Sequence, residues 1–540
     1  MPIHNPVLPG FHPDPSFIRV GDDFYLANST FEWFPGVPIY HSKDLAHWRL
    51  IGHALTRRSQ LDMLGVPDSG GIWAPSLSYD DGAFYLIYTN VRTKSGPFKD
   101  LHNYVITAPH IEGPWSEPSY LNASGFDASL FHDDDGRKWL VNQLWDHRKG
   151  NFRFNGIVLQ EFDAKARKLT GEVKQIIEKR GILVEGPNLY KRDGWYYLML
   201  AEGGTGWNHG ISMSRSRKID GPYELDPQPF VITSRKSPGN PLQKAGHGEL
   251  VETKSGEWYL AHLASRPSYP SRRCVLGRET CLQKVVWNDE GWLRLASGGT
   301  DAQVEAPSPR DVPMVEWPAV PARDDFDGKQ IRGDWCALRV PIEPSWASLT
   351  VRPGWLTLFG RESPHSLFEQ SLLARRLQSF RATAETCMEF EPVNYGQSAG
   401  LVCWYNTRCH YYLRVTHDER RGKVLGLFLT DDGVHDEYFD KQIDVNDWPR
   451  YYLRASINDD ALQFSASPDG ESWRNVGGVL DMTKLSDDYG VGNNFTGAFV
   501  GVRAHDLNGT RVPAYFDYFS LASFPWLGRP ARAFGGAASR

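Results

Sequence analysis

The pattern of apolar and polar residues repeats five times in the first half of the chain. Each copy has a short apolar segment, a turn rich in Asp, Gly or Ser, and an aromatic-rich segment. Gly supplies positive φ in such turns, and Phe, Tyr and Trp favour strands, so each copy predicts a β-hairpin. The copies begin at Asp14, Ala74, Asp127, Glu185 and His247, which lie 53 to 62 residues apart.

A second hairpin-like segment follows in most of these periods. Examples are residues 41–50, 112–118 and 220–225. Two hairpins make a four-stranded blade, and five such blades around an axis predict a five-bladed β-propeller. The fold class of the first half is therefore all-β.

The five copies are similar in sequence after their first residue. That leading residue differs, and is Asp, Ala, Asp, Glu and His in turn. The first strand of a propeller blade lies nearest the axis, so these leading residues are expected to converge at one mouth of the central cavity. Asp and Gly are also common in turns, which is the alternative explanation for any one of them. Three acids in register favour a site.

The second half has a different pattern. Residues 304–323 are rich in Pro, which favours an extended, semi-rigid linker between a propeller at 1–303 and a second domain. From 324 to 527, alternating segments such as 348–351, 401–405, 411–415 and 462–467 predict that this domain is a β-sandwich of the concanavalin A-like or jelly-roll kind. We expect a flexible tail at 528–540.

Composition narrows the function classes. The 540 residues carry a net charge of −6 and no long basic run, which argues against nucleic acid as the partner. No apolar stretch is long enough for a transmembrane helix, and the N-terminus lacks the features of a secretory signal. The six cysteines form no CxxC pair and predict no metal site. These observations predict a cytoplasmic protein that acts on small imported substrates.

Distinctive short motifs lie at residues 5–16, 29–37, 70–75, 125–131, 185–187, 246–248, 276–280 and 495–501. Together they resemble the motifs of glycoside hydrolase family 43, specifically its two-domain β-xylosidases. The resemblance covers nearly the whole chain. The fold of this family is the five-bladed propeller that the repeats predict.

The resemblance implies the roles of three acids. Asp14 is then the general base, Glu185 the general acid, and Asp127 the residue that orients the acid and tunes its pKa. Inverting hydrolysis of a glycoside needs one carboxylate to activate water and one protonated carboxyl to donate to the leaving oxygen. A third carboxylate nearby disfavours ionisation of the acid.

The resemblance also implies a substrate-binding arginine, Arg278, for which an ion pair with Glu279 or another surface acid is the alternative. His247 is implied to bind an axial calcium ion or a water cluster, and we expect water without metal. The proposed chemistry requires no cofactor.

Aromatic rings are expected to line the sugar pocket. Ala74 marks the one copy that opens with a non-polar residue, and Trp73 beside it can pack on a pyranose face. Core packing is the alternative for each of these rings. The candidates are Trp73, Phe31, Phe126 and Trp145, together with Phe495, whose segment in the second domain is implied to close the cavity. Related enzymes carry an aromatic pair there, so Asn494 departs from the pattern.

The leading prediction is an inverting exo-β-xylosidase that releases xylose from the non-reducing end of short β-1,4-xylo-oligosaccharides, with α-L-arabinofuranosidase side activity. One alternative is an arabinofuranosidase or arabinanase on the same fold. Another is a non-catalytic carbohydrate-binding propeller, which would have no use for three such acids. Relatives are often dimers or tetramers, so we expect a homodimer or homotetramer, with no membrane or nucleic-acid partner.

Overall fold

A computed structural model describes residues 2–178, 181–310 and 312–524. Within these ranges the chain forms 40 strands and two 3₁₀ helices. The helices span Phe439–Lys441 and Met482–Lys484. No helix within the described ranges is long and apolar enough to cross a membrane.

The first half forms five antiparallel sheets, one for each predicted blade. The blades are β2-β3-β5-β6, β8-β9-β10-β11 with β7 added beside β9, β12 to β15, β16 to β19, and β20 to β23. The strands are β1 (Ile3–His4), β2 (Ser16–Val20), β3 (Asp23–Ala27), β4 (Trp33–Phe34), β5 (Gly36–Ser42), β6 (Arg49–Leu55), β7 (Gly71–Ile72), β8 (Ser76–Asp80), β9 (Ala83–Val91), β10 (Leu101–Ala108), β11 (Ser119–Asn122), β12 (Ser129–His132), β13 (Lys138–Trp145), β14 (Phe154–Asp163), β15 (Lys168–Ile177), β16 (Val184–Arg192), β17 (Trp195–Glu202), β18 (Gly210–Ser216), β19 (Glu224–Leu225), β20 (Gln243–Glu252), β21 (Trp258–Ser265), β22 (Glu279–Trp287), β23 (Leu293–Leu295) and β24 (Glu305–Ala306).

The inner strands of the blades form a closed ring. Contacts run from β2 to β8, then to β12, β16 and β20, and from β20 back to β2. The N-terminal segment helps to close the ring, since Val7 N–H donates to Thr280 O at 2.9 Å and Leu282 N–H donates to Asn5 Oδ1 at 2.7 Å. The prediction of a five-bladed propeller is confirmed.

The second half forms two packed sheets. The eight-stranded sheet runs β27-β28-β40-β30-β36-β37-β38 with β25 beside β40, and the seven-stranded sheet runs β29-β39-β31-β32-β33-β34 with β35 beside β33. The strands are β25 (Arg323–Asp324), β26 (Ala337–Leu338), β27 (Ala347–Ser348), β28 (Leu356–Phe359), β29 (Ser371–Arg376), β30 (Arg381–Phe390), β31 (Gln397–Asn406), β32 (Cys409–Asp418), β33 (Gly422–Asp431), β34 (Val434–Glu437), β35 (Ile443–Asp444), β36 (Tyr451–Asn458), β37 (Ala461–Ser467), β38 (Arg474–Asp481), β39 (Phe499–Asp506) and β40 (Pro513–Ser523).

The predicted sandwich is confirmed, and three of its four example strands lie within β31, β32 and β37. The fourth, at 348–351, is wrong beyond its first residue. Ser348 Oγ accepts the backbone N–H of Thr350 at 3.1 Å and of Val351 at 3.3 Å, which turns the chain out of the strand.

The seven-stranded sheet is buried on both faces. One face packs on the eight-stranded sheet through residues such as Leu401 and Leu413. The other face packs on the propeller, where the ring of Phe499 stacks on Trp33 with centroids 3.8 Å apart. Strand β26 also pairs with β4 of the propeller. The sandwich is therefore fixed against the propeller over a broad, apolar contact.

The segment between the domains lies along blade 1. Residues 307–310 and 312–322 contain no strand or helix. Val315 N–H donates to Asp44 Oδ2 at 2.9 Å, and Trp317 Nε1 donates to His47 O at 3.2 Å. The guanidinium of Arg49 lies 3.9 Å from the centre of the Trp317 ring. The predicted tail at 528–540 lies outside the described residues.

Candidate active site

Three of the five leading residues of the repeats share an unusual backbone conformation. Asp14, Asp127 and His247 have φ of 50°, 51° and 39°, in the left-handed region that non-glycine residues rarely adopt. In blade 4 this conformation falls on Gly186, with φ of 56°. Glu185 therefore stands one residue ahead of the shared position, and a register shift in the pairing of β16 with β17 accommodates it. The predicted alignment of the fourth copy is wrong by one residue.

Asp14 lies almost completely buried among donors. Its Oδ1 accepts from Arg278 Nη1 at 2.8 Å, and its Oδ2 accepts from Ser29 Oγ at 2.5 Å. The Nδ1 atom of His247 lies 4.0 Å from Oδ1. A guanidinium and a hydroxyl together fix the orientation of this carboxyl group.

Asp127 is buried, Glu185 is half-buried, and the two acids interact with each other. Burial raises the pKa of Glu185 to about 7, the negative charge of Asp14 adds to this shift, and Arg278 opposes it. Burial raises the pKa of Asp127 as well, followed by the charges of Glu185 and Asp14. Asp127 Oδ2 accepts the backbone N–H of Gly186, the residue next to Glu185, at 3.2 Å. The two acids share a dry site in which both cannot readily ionise together.

Arg278 joins the acids to the second domain. Its Nη2 donates to Phe495 O at 3.0 Å, and its guanidinium lies 5.4 Å from the centre of the Phe31 ring. Glu279 instead pairs with Arg266, at 2.6 Å. Among the described residues, Arg278 therefore pairs with the buried Asp14, and not with Glu279 or a surface acid, which was the alternative.

Four of the predicted aromatic residues meet in one cluster. The centroid of Trp73 lies 5.0 Å from that of Phe126, 5.7 Å from Phe495 and 6.4 Å from Phe31. Phe31 and Phe126 are each only 3% exposed, whereas Trp73 and Phe495 are half-buried. Trp73 and Phe495 thus present ring surface beside the acids, and the two buried rings support them.

The remaining aromatic candidate lies further out. Trp145 contacts Phe154 at 5.3 Å, and Phe154 contacts Phe126 at 6.2 Å. Two rings, those of Phe126 and Phe154, therefore separate Trp145 from Trp73. Ala74 is buried and follows Trp73 in the chain, and it brings no polar group to the site.

The segment of Phe495 is tethered to the propeller by groups that the sequence analysis missed. Phe495 N–H donates to Ser69 Oγ at 3.1 Å, and Trp73 Nε1 donates to Ser69 O at 3.1 Å. Lys94 Nζ donates to Asn493 O at 2.6 Å. Asn494, the departure from the family pattern, donates through Nδ2 to Tyr489 O at 2.9 Å and so braces the same segment.

Two further residues beside the acids were missed. Ser29 is the first residue of one of the family motifs, and no other feature of the sequence indicated that it belongs to the site. His209 has a side chain packed so close to Gly246 that a Cβ there would lie 2.4 Å from the imidazole. Burial lowers the pKa of His209 to about 3, and the charges of His247 and Arg278 add to this effect. His209 is therefore a neutral wall of the site.

His247 lies at the same mouth as the acids. A Cβ on Gly186 would lie 2.9 Å from its ring, so only glycine fits beside it. Burial lowers the pKa of His247, Asp14 opposes the shift, and Arg278 adds to it. Among the described residues no group of three or more His, Cys, Asp or Glu is arranged to hold a metal ion. The choice between water and calcium at His247 stays a prediction.

Comparisons with known proteins agree with this architecture. Residues 3–293 match the family described as glycosyl hydrolases family 43, and residues 323–522 match the β-xylosidase C-terminal concanavalin A-like domain. The chain is 47% identical to a β-xylosidase of Bacillus subtilis (strain 168) over 530 residues, which cover 96% of this chain and 99% of that protein. It is 48% identical to xylosidase/arabinosidase 43B of Humicola insolens over 526 residues, with 96% and 97% covered.

A solved structure gives the same result. The crystal structure of xylan β-1,4-xylosidase from Bacillus halodurans C-125 superposes with a TM-score of 0.94 at 53% sequence identity, and the match covers 96% of this chain and 99% of that one. Both domains, in the same order, are therefore shared with a xylosidase. The chain belongs to glycosyl hydrolase family 43.

Proposed function

We propose that this protein is an inverting exo-β-xylosidase that removes xylose from the non-reducing end of short β-1,4-xylo-oligosaccharides. One observation carries the proposal. A carboxylate held by Arg278 and Ser29 lies in the same buried site as a glutamic acid whose pKa is raised to about 7. The names of the relatives, which are xylosidases, support the choice of sugar.

The chemistry needs two proton transfers. Glu185 donates its proton to the glycosidic oxygen as the bond from that oxygen to the anomeric carbon breaks. Asp14 accepts a proton from a water molecule whose oxygen attacks the anomeric carbon from the opposite face. The products are α-xylose and an oligosaccharide shorter by one unit. Solvent then returns a proton to Glu185 and takes up the proton that Asp14 accepted.

Asp127 supports the acid in two ways. Its hydrogen bond to Gly186 N–H fixes the backbone beside Glu185. Because the two neighbouring acids cannot readily ionise together, the pair keeps its last proton to a higher pH, which helps to retain a proton on Glu185 until the substrate oxygen receives it.

The pocket fits the removal of one terminal sugar. Trp73 and Phe495 offer half-buried ring faces beside the acids, and Phe495 comes from the second domain. A wall supplied by a second domain favours a closed pocket over a groove that is open at both ends. Exo cleavage follows from such a pocket.

The Humicola relative named xylosidase/arabinosidase supports arabinofuranosidase side activity as the second function. The test is a pair of rates, on 4-nitrophenyl β-D-xylopyranoside and on 4-nitrophenyl α-L-arabinofuranoside. We expect a higher kcat/KM on the xyloside and measurable turnover of the arabinoside. Faster hydrolysis of the arabinoside would contradict the proposed main activity. The cytoplasmic location and the homo-oligomeric state stay predictions.

A further inference from the structure

An aromatic path leads from the proposed catalytic pocket to the protein surface. It continues from Trp73 through Phe126 and Phe154 to Trp145, with neighbouring centroids 5.0 to 6.2 Å apart. Trp73, Phe154 and Trp145 are half-buried, whereas Phe126 is 3% exposed. The path therefore passes through one buried ring and returns to the surface at its outer end.

The outer end is extended by a loop at residues 92–100. Pro97 O accepts from Trp145 Nε1 at 2.8 Å, and the Lys99 ammonium lies 5.1 Å from the centre of the Trp145 ring. Next to them Phe98 is 69% exposed, and its ring lies 4.4 Å from that of His147. Two exposed rings thus continue the path beyond Trp145.

The exposed rings of Phe98 and His147 form an outer platform, and the loops that carry them are both held in place. Arg92 N–H donates to Asp100 O at 3.0 Å, which closes the base of the loop. Near the start of the loop, Lys94 reaches the second domain and lies 5.5 Å from the centre of the Phe495 ring. The loop therefore spans the rim between Phe495 and Trp145.

The loop that carries His147 is also braced. Asp146 accepts from Arg148 Nη2 at 2.6 Å and from Asn151 Nδ2 at 2.7 Å. A braced loop loses little conformational freedom when a ligand binds, so an exposed ring on it makes an efficient contact.

From this continuity we infer that Phe98 and His147 form an outer subsite, which binds the second sugar of the leaving group by contact with its apolar face. This inference rests on the proposed exo-xylosidase function. Since the released xylose occupies the closed pocket, the sugars that follow must leave through the open rim. A xylobiose substrate ends before the platform, whereas a xylotriose substrate reaches it.

The test compares kcat/KM on xylotriose with kcat/KM on xylobiose, in the wild type and in Phe98→Ala. A lost ring contact is expected to lower the ratio of the two values by roughly 3- to 10-fold. His147→Ala is expected to lower the same ratio. The matched control is Tyr395→Ala, since Tyr395 is 74% exposed and lies on the second domain; its ratio should equal that of the wild type.

An unchanged ratio in both Phe98→Ala and His147→Ala would overturn the outer subsite. Equal losses of kcat/KM on the two substrates leave the ratio unchanged and would therefore count as this result. Wild-type hydrolysis of 4-nitrophenyl β-D-xylopyranoside separates this failure from failure of the proposed function. A wild type that hydrolyses neither the aryl xyloside nor xylobiose would overturn both.

Discussion

Two rings of polar residues line the axis of the propeller, two or three positions apart in the same repeats. The mouth ring consists of Asp14, Asp127, Glu185 and His247. The inner ring consists of Ser16, Ser129, Asn188 and Glu249. Both rings are largely buried, and both contain acids.

The inner ring uses its polar groups to join blades. Ser16 Oγ donates to Glu249 Oε2 at 3.0 Å, and Ser129 Oγ donates to Pro187 O at 2.5 Å. Asn188 Nδ2 donates to Gly248 O at 3.4 Å. Each of these bonds crosses from one blade to the next, so the inner ring stabilises the closed propeller.

A raised pKa does not distinguish the two rings. Burial raises the pKa of Glu249 to about 8 and that of Glu185 to about 7. Their surroundings differ, because Glu249 Oε2 accepts from Ser16 Oγ and from Phe17 N–H, whereas Glu185 interacts with the charges of Asp14 and Arg278. A buried acid therefore indicates a reaction centre only together with other charged groups that face it.

The largest expected effect is on kcat, which should fall when an acid of the mouth ring is replaced but not when the acid of the inner ring is replaced. Asp14→Asn should lower kcat on 4-nitrophenyl β-D-xylopyranoside by roughly 10²- to 10⁴-fold, because the amide cannot accept a proton from water. Asn also tolerates the positive φ of this position, so the fold should persist. Glu249→Gln is the matched control, a buried acid of the inner ring, and should retain kcat within a factor of about three. Similar losses in the two variants would break the distinction.

A smaller effect concerns the pH profile. The wild-type kcat/KM should fall as pH rises through about 7, because Glu185 then loses the proton that it must donate. Asp127→Asn removes the second acid of this interacting pair, so the last proton should leave Glu185 at a lower pH and this alkaline limb should move down by roughly one pH unit.

The control for that shift is Asp134→Asn, since the side chain of Asp134 is 80% exposed in the turn of the same hairpin. Its pH profile should match the wild type. An alkaline limb that stays in place in Asp127→Asn would show that Asp127 does not tune the acid.

The smallest effect tests the structural role of the inner ring. The pKa of Glu249 is raised in the folded state, so its protonated form is favoured there and stability declines as pH rises from about 4.5 to about 8. Gln keeps the accepting oxygen and does not ionise. The Tm of the wild type should therefore fall between pH 5 and pH 8. The fall in Glu249→Gln should be smaller than this by at least roughly 2 °C. Parallel changes in Tm would contradict this assignment.

Much of the propeller could be predicted because each blade is a local pattern. Two apolar segments, a Gly- or Asp-containing turn and a fixed period specify a hairpin without knowledge of distant residues. The sandwich strands 401–405 and 411–415 were predictable for the same reason. Ser348 shows the limit, because a side-chain hydrogen bond to Thr350 ends a strand that the alternation continues.

The sequence predicts only those site residues that lie in the repeats or in the family motifs. Asp14 and Asp127 occupy equivalent positions, but Glu185 is offset by one residue because Gly186 takes the left-handed conformation. The bond from Phe495 to Ser69 joins residues 426 positions apart, and no sequence pattern encodes it. Contacts between domains depend on the relative placement of two folds, which local periodicity does not specify.

The central claim is inversion at the anomeric carbon by Asp14 and Glu185. The most direct test is proton NMR of the xylose that forms during the first minutes of hydrolysis of a β-xyloside, before mutarotation. The account predicts that α-xylose appears first and that the β anomer follows by mutarotation. Initial appearance of β-xylose would mean retention, and would contradict the role of Asp14 as a base that activates water.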